Sequence, residues 1–158
     1  SAETVIRAAQ TGHLVLSTLH TLSAAASLNR LRDMGIPLYN LASTVSLVIA
    51  QRLARRLCEN CKESVEIPEK GFTGELPPQP RFYRARGCPQ CRDGFRGRVG
   101  FYEVVPISEG LSRIIMEDSQ PRRFSEYMRE HSMPNLREAA LLKVAQGLTS
   151  LEEANRLT

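Results

Sequence analysis

The sequence predicts an α/β protein: one edge of a sheet-and-helix layer, then a small cysteine-bearing module, then a closing set of helices. Three observations predict it. A short apolar run, Leu14-Val15-Leu16, stands between helix-like stretches. Four cysteines fall in two Cys-x-x-Cys pairs inside a Pro- and Gly-rich middle. Helical periodicity returns from residue 107 to the end.

Residues 1–57 are apolar and rich in Ala and Leu, and they open in helix-like sequence. Leu14-Val15-Leu16, with small polar flanks, reads as a buried parallel strand. A helix should follow, because Ala24, Leu28 and Leu31 recur at i, i+4 and i+7. Gly35 sits where a C′ glycine belongs, and Pro37 comes just after it. A second helix is expected from about Tyr39 to Leu57, with Leu41, Val45, Val48, Ile49 and Leu53 as its apolar stripe. A strand and a few helices cannot close a core alone, so this region reads as the edge of a larger α/β sheet.

Residues 58–106 hold all four cysteines, six of the nine prolines and six of the ten glycines. Gly71, Gly74, Pro77, Pro78 and Pro80 predict a surface excursion with little regular structure. Val99 to Val105 is rich in β-formers and should be a strand. In residues 107–158, Leu111, Ile114 and Ile115 mark one helix. Phe124, Tyr127 and Met128 mark another, with Pro121 in its first turn. Leu136, Ala140 and Val144 mark a third, stopped by Gly147. Thr149 and Ser150 each precede a glutamate by three residues, a doubled capping-box signal for a last helix to about Leu157.

The 158 residues suffice for one medium domain or two small subdomains. No apolar run approaches the ~20 residues of a membrane-spanning helix, and no signal peptide is evident. The chain starts at Ser1 without Met and reads as a piece of a longer protein. Its formal net charge is +4. Four metal-bound thiolates and one divalent ion would add −2 and leave about +2. That balance suits acidic lipids, nucleotides or nucleic acid and selects none. The basic clusters Arg52/Arg55/Arg56 and Arg92/Arg96/Arg98 are modest and read first as solvated surface.

Cys58 and Cys61 are separated by two residues, as are Cys88 and Cys91, with 26 residues between the pairs. A Cys-x-x-Cys turn aims two thiolates at one point, and two such turns complete a tetrahedron. That donor set suits zinc, a closed-shell ion with no geometric demand of its own. Disulfides and a thioredoxin-like redox pair are the rivals. Local pairing without an export signal weighs against the first, and the second needs only one pair. Four thiolates leave no open coordination position, so a zinc here is structural. The gap exceeds that of a usual zinc ribbon, so the loop between must bulge outward. Arg56 and Arg92 would offset the excess negative charge.

The segment Thr11-Gly12-His13-Leu14-Val15-Leu16-Ser17-Thr18-Leu19-His20-Thr21 places His20 and Thr21 at the carboxyl end of the expected strand. Ligands gather there in open α/β sheets. A neutral imidazole at that point could donate to a phosphate oxygen or hold a water. From spacing alone it reads first as a hydrogen-bonded histidine in a sheet-to-helix turn.

TGHLVLSTLHT resembles the His box of the secretion-superfamily ATPases. RLRDMGIPLYNLAS at 30–43, AQRLARRLCENCK at 50–62, GCPQC at 87–91, GFRGRVGFYEV at 94–104 and LREAALLKVAQGLTSLEEANRLT at 136–158 are similar to the C-terminal part of the pilus-extension and type II secretion ATPases. The resemblance covers nearly the whole chain apart from the 63–80 loop. NLAS before AQRLARRLC, and GFRGRVGFYEV, lean toward the pilus-assembly branch.

The resemblance implies that residues 1–57 are the last part of a RecA-like motor domain with a truncated sheet. It makes residues 58–106 a zinc-binding subdomain and 107–158 a C-terminal helical subdomain. His20 would be the His-box residue near the γ-phosphate, with His13 supporting the strand and Thr21 beside the nucleotide. Arg52 matches the arginine of the AQRL motif, for subunit contacts or nucleotide sensing. The intact protein would be a hexameric ATP hydrolase using ATP and magnesium. It would lie in the cytoplasm, peripheral to the inner membrane, and drive a membrane platform protein for type IV pilus assembly or type II protein secretion.

No GxxxxGK[ST] occurs in these residues, and the acidic strand end that would hold magnesium is absent too. This stretch alone is therefore expected to be inactive. A zinc-ribbon nucleic-acid-binding module is the alternative, drawing on the basic residues near Cys91 and on Phe95, Phe101 and Tyr102. It explains neither the His segment nor the last helices, and no nucleic acid is expected as a partner. A third reading makes the zinc module a docking surface only.

Overall fold

The computed structural model describes residues 1–66, 76–117 and 121–158. The chain is α/β. Three helices come first: α1 (Ala2–Gln10), α2 (Ala24–Asp33) and α3 (Leu38–Thr44). Four strands follow: β1 (Leu47–Leu57), β2 (Glu63–Val65), β3 (Phe82–Arg84) and β4 (Phe95–Pro106). Four helices close the chain: α4 (Glu109–Met116), α5 (Pro121–Glu130), α6 (Leu136–Ala145) and α7 (Leu151–Leu157). β1 pairs with β4, and β2 with β3, in separate two-stranded sheets.

The chain packs as two compact units, interleaved in sequence. Residues 1–50 and 103–134 form one, and residues 51–102 and 135–158 the other. The division falls inside both β1 and β4.

In the first unit, Leu28, Leu41, Val105, Leu111, Phe124 and Met128 are among the buried residues of one apolar core. The helices end where their sequences direct. The Ser23 hydroxyl accepts from the Ala26 amide at 3.1 Å at the start of α2. Ser108 does the same for Leu111 at 3.3 Å at the start of α4. Each satisfies an amide left unpaired in a first helical turn.

In the second unit, Leu57, Phe82, Phe101, Leu141, Val144 and Ala154 are buried. Helix α6 opens with a reciprocal cap in which Asn135 and Glu138 each accept the other's amide. It stops at Gly147, which has φ +72 and lies so close to the Tyr83 ring that a Cβ would stand 2.8 Å from it. β2 and β3 are antiparallel, with Ser64 opposite Tyr83. They flank the Pro- and Gly-rich stretch; the surface excursion expected there falls largely on residues 67–75, which lie outside the described residues.

Two sequence expectations are corrected. The helix expected from about Tyr39 to Leu57 ends at Thr44, and Val45 is already extended at φ −75 and ψ 119. Residues 47–57 are β1 instead. Their apolar residues fit a helical stripe, but the stretch finds a partner in β4, and those ladder bonds override the local pattern. The second correction concerns Leu14-Val15-Leu16, which forms no strand. Leu14 and Leu16 are 90% and 87% exposed. A buried parallel strand takes its ladder bonds and both covering faces from neighbours, and none lies beside it among the described residues.

The strand expected at Val99–Val105 lies within β4. The expected helices near Ala24, Leu111, Phe124, Leu136 and Ser150 all appear, as α2 and α4 to α7. Among the described residues, no helix is long and apolar enough to cross a membrane.

Candidate metal centre and His segment

The four cysteines converge. Cys58 follows the last residue of β1, and its amide donates to the Gly94 carbonyl at 2.9 Å. The chain then turns back, with the Cys61 and Lys62 amides donating to the Cys58 carbonyl at 3.3 and 3.0 Å. The second pair repeats the turn, the Cys91 amide donating to the Cys88 carbonyl at 3.2 Å. Arg92 and Phe95 close it with reciprocal backbone bonds. Each turn thereby presents two sulfurs on one side.

All four sulfurs lie within 4.8 Å of one another. Cys58 and Cys88 Sγ are 4.0 Å apart, Cys61 and Cys91 3.7 Å, and Cys88 and Cys91 3.6 Å. A disulfide would bring two sulfurs to about 2.05 Å, and all four cysteines are free. A tetrahedral zinc with sulfurs at about 2.3 Å requires sulfur–sulfur edges of about 3.8 Å. The observed separations fit that requirement.

The thiols also differ in acidity. Burial pushes Cys61 up to about 12, and the neighbouring thiols add to that. Burial also pushes Cys91 upward, but the Cys88 and Gly94 amides and the adjoining thiols outweigh it, bringing it down to about 7. Four sulfurs this close cannot all ionise without a cation among them. Of the two arginines expected to offset that charge, Arg56 pairs with Glu59 at 3.5 Å. Arg92 is exposed and contributes its backbone bonds to the turn.

Gly94 makes the close approach possible. It is buried at φ +86, and a Cβ there would lie 2.6 Å from the Ala85 Cβ and 2.9 Å from the Arg86 nitrogen. Gly94→Ala is therefore expected to cost about 2–4 kcal/mol. It should also release metal to a chelator faster than the unaltered chain, as followed with a chromogenic zinc indicator.

The cysteine turns are tied to the end of α6 and the start of α7. The Leu57 amide donates to the Leu148 carbonyl at 2.9 Å, and the Arg81 amide to the Ala145 carbonyl at 2.7 Å. Lys62 Nζ reaches the Gly147 carbonyl at 3.1 Å and lies 4.5 Å from the Tyr83 ring centre. Thr149 donates its hydroxyl to the Arg55 carbonyl at 2.8 Å. Glu153, 1% exposed, accepts from the Arg55 amide and from the guanidiniums of Arg55 and Arg156.

The His segment is placed differently. His13 is exposed, its Nδ1 3.1 Å from the Thr11 hydroxyl and 3.2 Å from the Ala8 carbonyl at the end of α1. Thr21 Oγ1 lies 2.6 Å from Ser27 Oγ. His20 is exposed and has no hydrogen-bond partner among the described residues. Arg52 Nη1 reaches the Gln51 carbonyl at 3.3 Å. No two of these four side chains bond to each other among the described residues.

Two buried acids escaped the sequence reading. Glu103 shares the inward phase of β4 with Phe101 and Val105, and an acid at an inward position of an alternating strand was the available signal. For Glu153 the sequence pattern marks only a capping glutamate. Ser150 does accept from its amide at 3.3 Å, but the carboxylate turns to the arginines.

Residues 1–156 match the family model described as Type II/IV secretion system protein. The chain belongs to this family. The type IV pilus assembly ATPase PilB of Acinetobacter baylyi is 51% identical over the whole chain, which covers 28% of that protein. The type II secretion system ATPase E of Vibrio cholerae is 40% identical, again over the whole chain, which covers 32% of it. The chain thus spans about a third of the length of these secretion system relatives. The pilus retraction motor PilT, solved with bound ADP, shares the fold at a TM-score of 0.65 and 23% identity, over 99% of this chain and 35% of that one. The Legionella pneumophila ATPase DotB does so at a TM-score of 0.64 and 19% identity, over 99% and 34%.

Proposed function

We propose that this chain is the C-terminal part of a hexameric ATP hydrolase that powers type IV pilus assembly. Identity over the whole chain to a pilus assembly ATPase carries the reading, at 51% against 40% for the type II secretion ATPase. In this reading residues 1–57 belong to the motor domain, 58–106 carry the metal module and 107–158 form the C-terminal helices. This functional division is distinct from the two packing units. ATP and magnesium act in the intact protein. It works at the cytoplasmic face of the inner membrane against a platform protein there. The chain alone turns over no ATP, because it holds no phosphate-cradling loop.

The four cysteines hold one structural zinc, a role that the sulfur separations and the closed donor set support. His20, exposed and unpaired among the described residues, is a side chain of this segment available to a phosphate or to a water beside it. Thr21 and His13 hold the backbone on either side, and Arg52 serves a subunit contact or senses the nucleotide.

In the full-length protein, His20→Ala is expected to lower ATP turnover about 100- to 1,000-fold, the usual cost of removing one aimed donor. Nucleotide binding should persist. Turnover equal to that of the unaltered protein would remove His20 from the mechanism.

A further inference from the structure

We infer that Glu103 is a positioning residue for His20, acting through the first turn of α2. The inference rests on the reading of His20 as the nucleotide-facing side chain. Glu103 is 4% exposed, and its Oε1 accepts from the Ala24 amide at 2.7 Å. Ala24 is fully buried and is the first residue of α2, so water cannot reach that amide. The local cap cannot answer it, because the Ser23 hydroxyl is directed to Ala26 at 3.1 Å. A carboxylate brought from β4, 79 residues later in sequence, fills the gap. It also lies at the positive end of the helix, where negative charge is stabilised.

Besides the local bond of the Ser27 hydroxyl to the Ser23 carbonyl at 3.1 Å, three side-chain bonds hold the turn after His20. Thr21 is tied to Ser27 at 2.6 Å, Ser23 to Ala26, and Glu103 to Ala24. The first two are short-range bonds of hydroxyls that can rotate. Glu103 alone of the three ties the turn to a distant strand, so it sets where the turn lies within its unit. His20 has no partner of its own among the described residues, and its place therefore follows that of the anchored turn. Misplacing a catalytic group by about 1 Å can cost on the order of 100-fold in rate.

The test uses the full-length ATPase with Glu103→Ala, Glu103→Gln, His20→Ala and the double variants. Glu103→Ala should lower kcat about 10- to 100-fold and leave the KM for ATP within about threefold. Glu103→Gln keeps an acceptor for the Ala24 amide and should recover most of the rate. Combined with His20→Ala, either change should have no further effect beyond about twofold. Ile115→Ala, a core truncation in the same unit, should instead multiply with His20→Ala. Multiplicative loss for Glu103 and His20 overturns the inference, as does a Glu103→Ala enzyme with normal kcat. If Glu103→Ala does not fold, Glu103→Asp, whose carboxylate is one methylene too short to reach the Ala24 amide, takes its place in the cycle and is judged by the same rule. If His20→Ala alone is normal, the reading of His20 fails instead, and the inference falls with it.

Discussion

Cys88→Ser is expected to abolish metal binding and to loosen the cysteine turns and the α6–α7 turn together. The purified chain should carry about one zinc, and the variant almost none, by elemental analysis. Three sulfurs and a hydroxyl make a much poorer site than four thiolates. Zinc binding of this kind contributes on the order of 10 kcal/mol, comparable to the whole stability of a domain.

The loss should spread along a defined route. Leu57, Lys62 and Arg81, close in sequence to the first cysteines or to β3, donate to the carbonyls of Leu148, Gly147 and Ala145. With the knuckle open, these donors lose their fixed positions. Amide exchange should therefore quicken at 57–62, 88–95 and 145–153 together. Exchange in the core of the first unit, around Leu111 and Phe124, should change little. Chelation of the unaltered chain should reproduce the pattern. Intact protection at 145–153 in a zinc-free chain would show that those bonds stand without the metal.

The second large effect is expected at Glu153. Its carboxylate is buried, yet it accepts from Arg55 Nη2 at 2.7 Å, the Arg55 amide at 3.0 Å, and Arg156 Nε and Nη2 at 3.0 Å each. The Arg55 guanidinium also lies 4.1 Å from the Phe95 ring centre. Glu153→Ala removes a hub of charge-assisted bonds and should cost about 3 kcal/mol at neutral pH. The arginines retain solvent access, at 52% and 56% side-chain exposure. They are not left as stranded buried charges, which keeps the cost below that of breaking a fully buried pair.

The contribution should depend on acidity in a definite direction. Burial by itself pushes the Glu153 carboxyl upward. The Arg156 and Arg55 bonds outweigh burial and hold it down from 4.5 to about 2. A depressed carboxyl stabilises the fold above its unfolded value and ceases to do so as pH falls through the folded one. The stability gap between the unaltered chain and Glu153→Ala should thus be constant above about pH 5. It should narrow between 4.5 and about 2. Urea unfolding across that range measures the gap, and a gap independent of pH would refute the ionic role.

Much of the fold was legible because its signals are local. Gly35 stands just past the end of α2, Gly147 just past that of α6, and Ser150 opens α7. The cysteine spacing was sufficient to predict convergence of the four sulfurs. The β-formers at 99–105 marked the strand that runs from 95 to 106.

Residues 47–57 were not legible, because Val48, Ile49 and Leu53 satisfy a helical stripe while the same stretch also makes a good strand. Only pairing with β4 separates the two. Leu14-Val15-Leu16 failed for the converse reason. Its composition suits a strand, but a strand exists only beside another.

The sequence by itself determined the donor set of the candidate metal centre, the presence of most helices and, through its motifs, the family. These depend on residues within a turn or two of each other, or on side-chain chemistry that is independent of conformation. Only the tertiary structure decided that β1 is a strand, that Glu103 anchors α2, and that Glu153 gathers two arginines. Their partners lie far away in sequence, 79 residues for Glu103 with Ala24 and 98 for Glu153 with Arg55. A buried charge or a ladder bond is stable only when that distant group arrives.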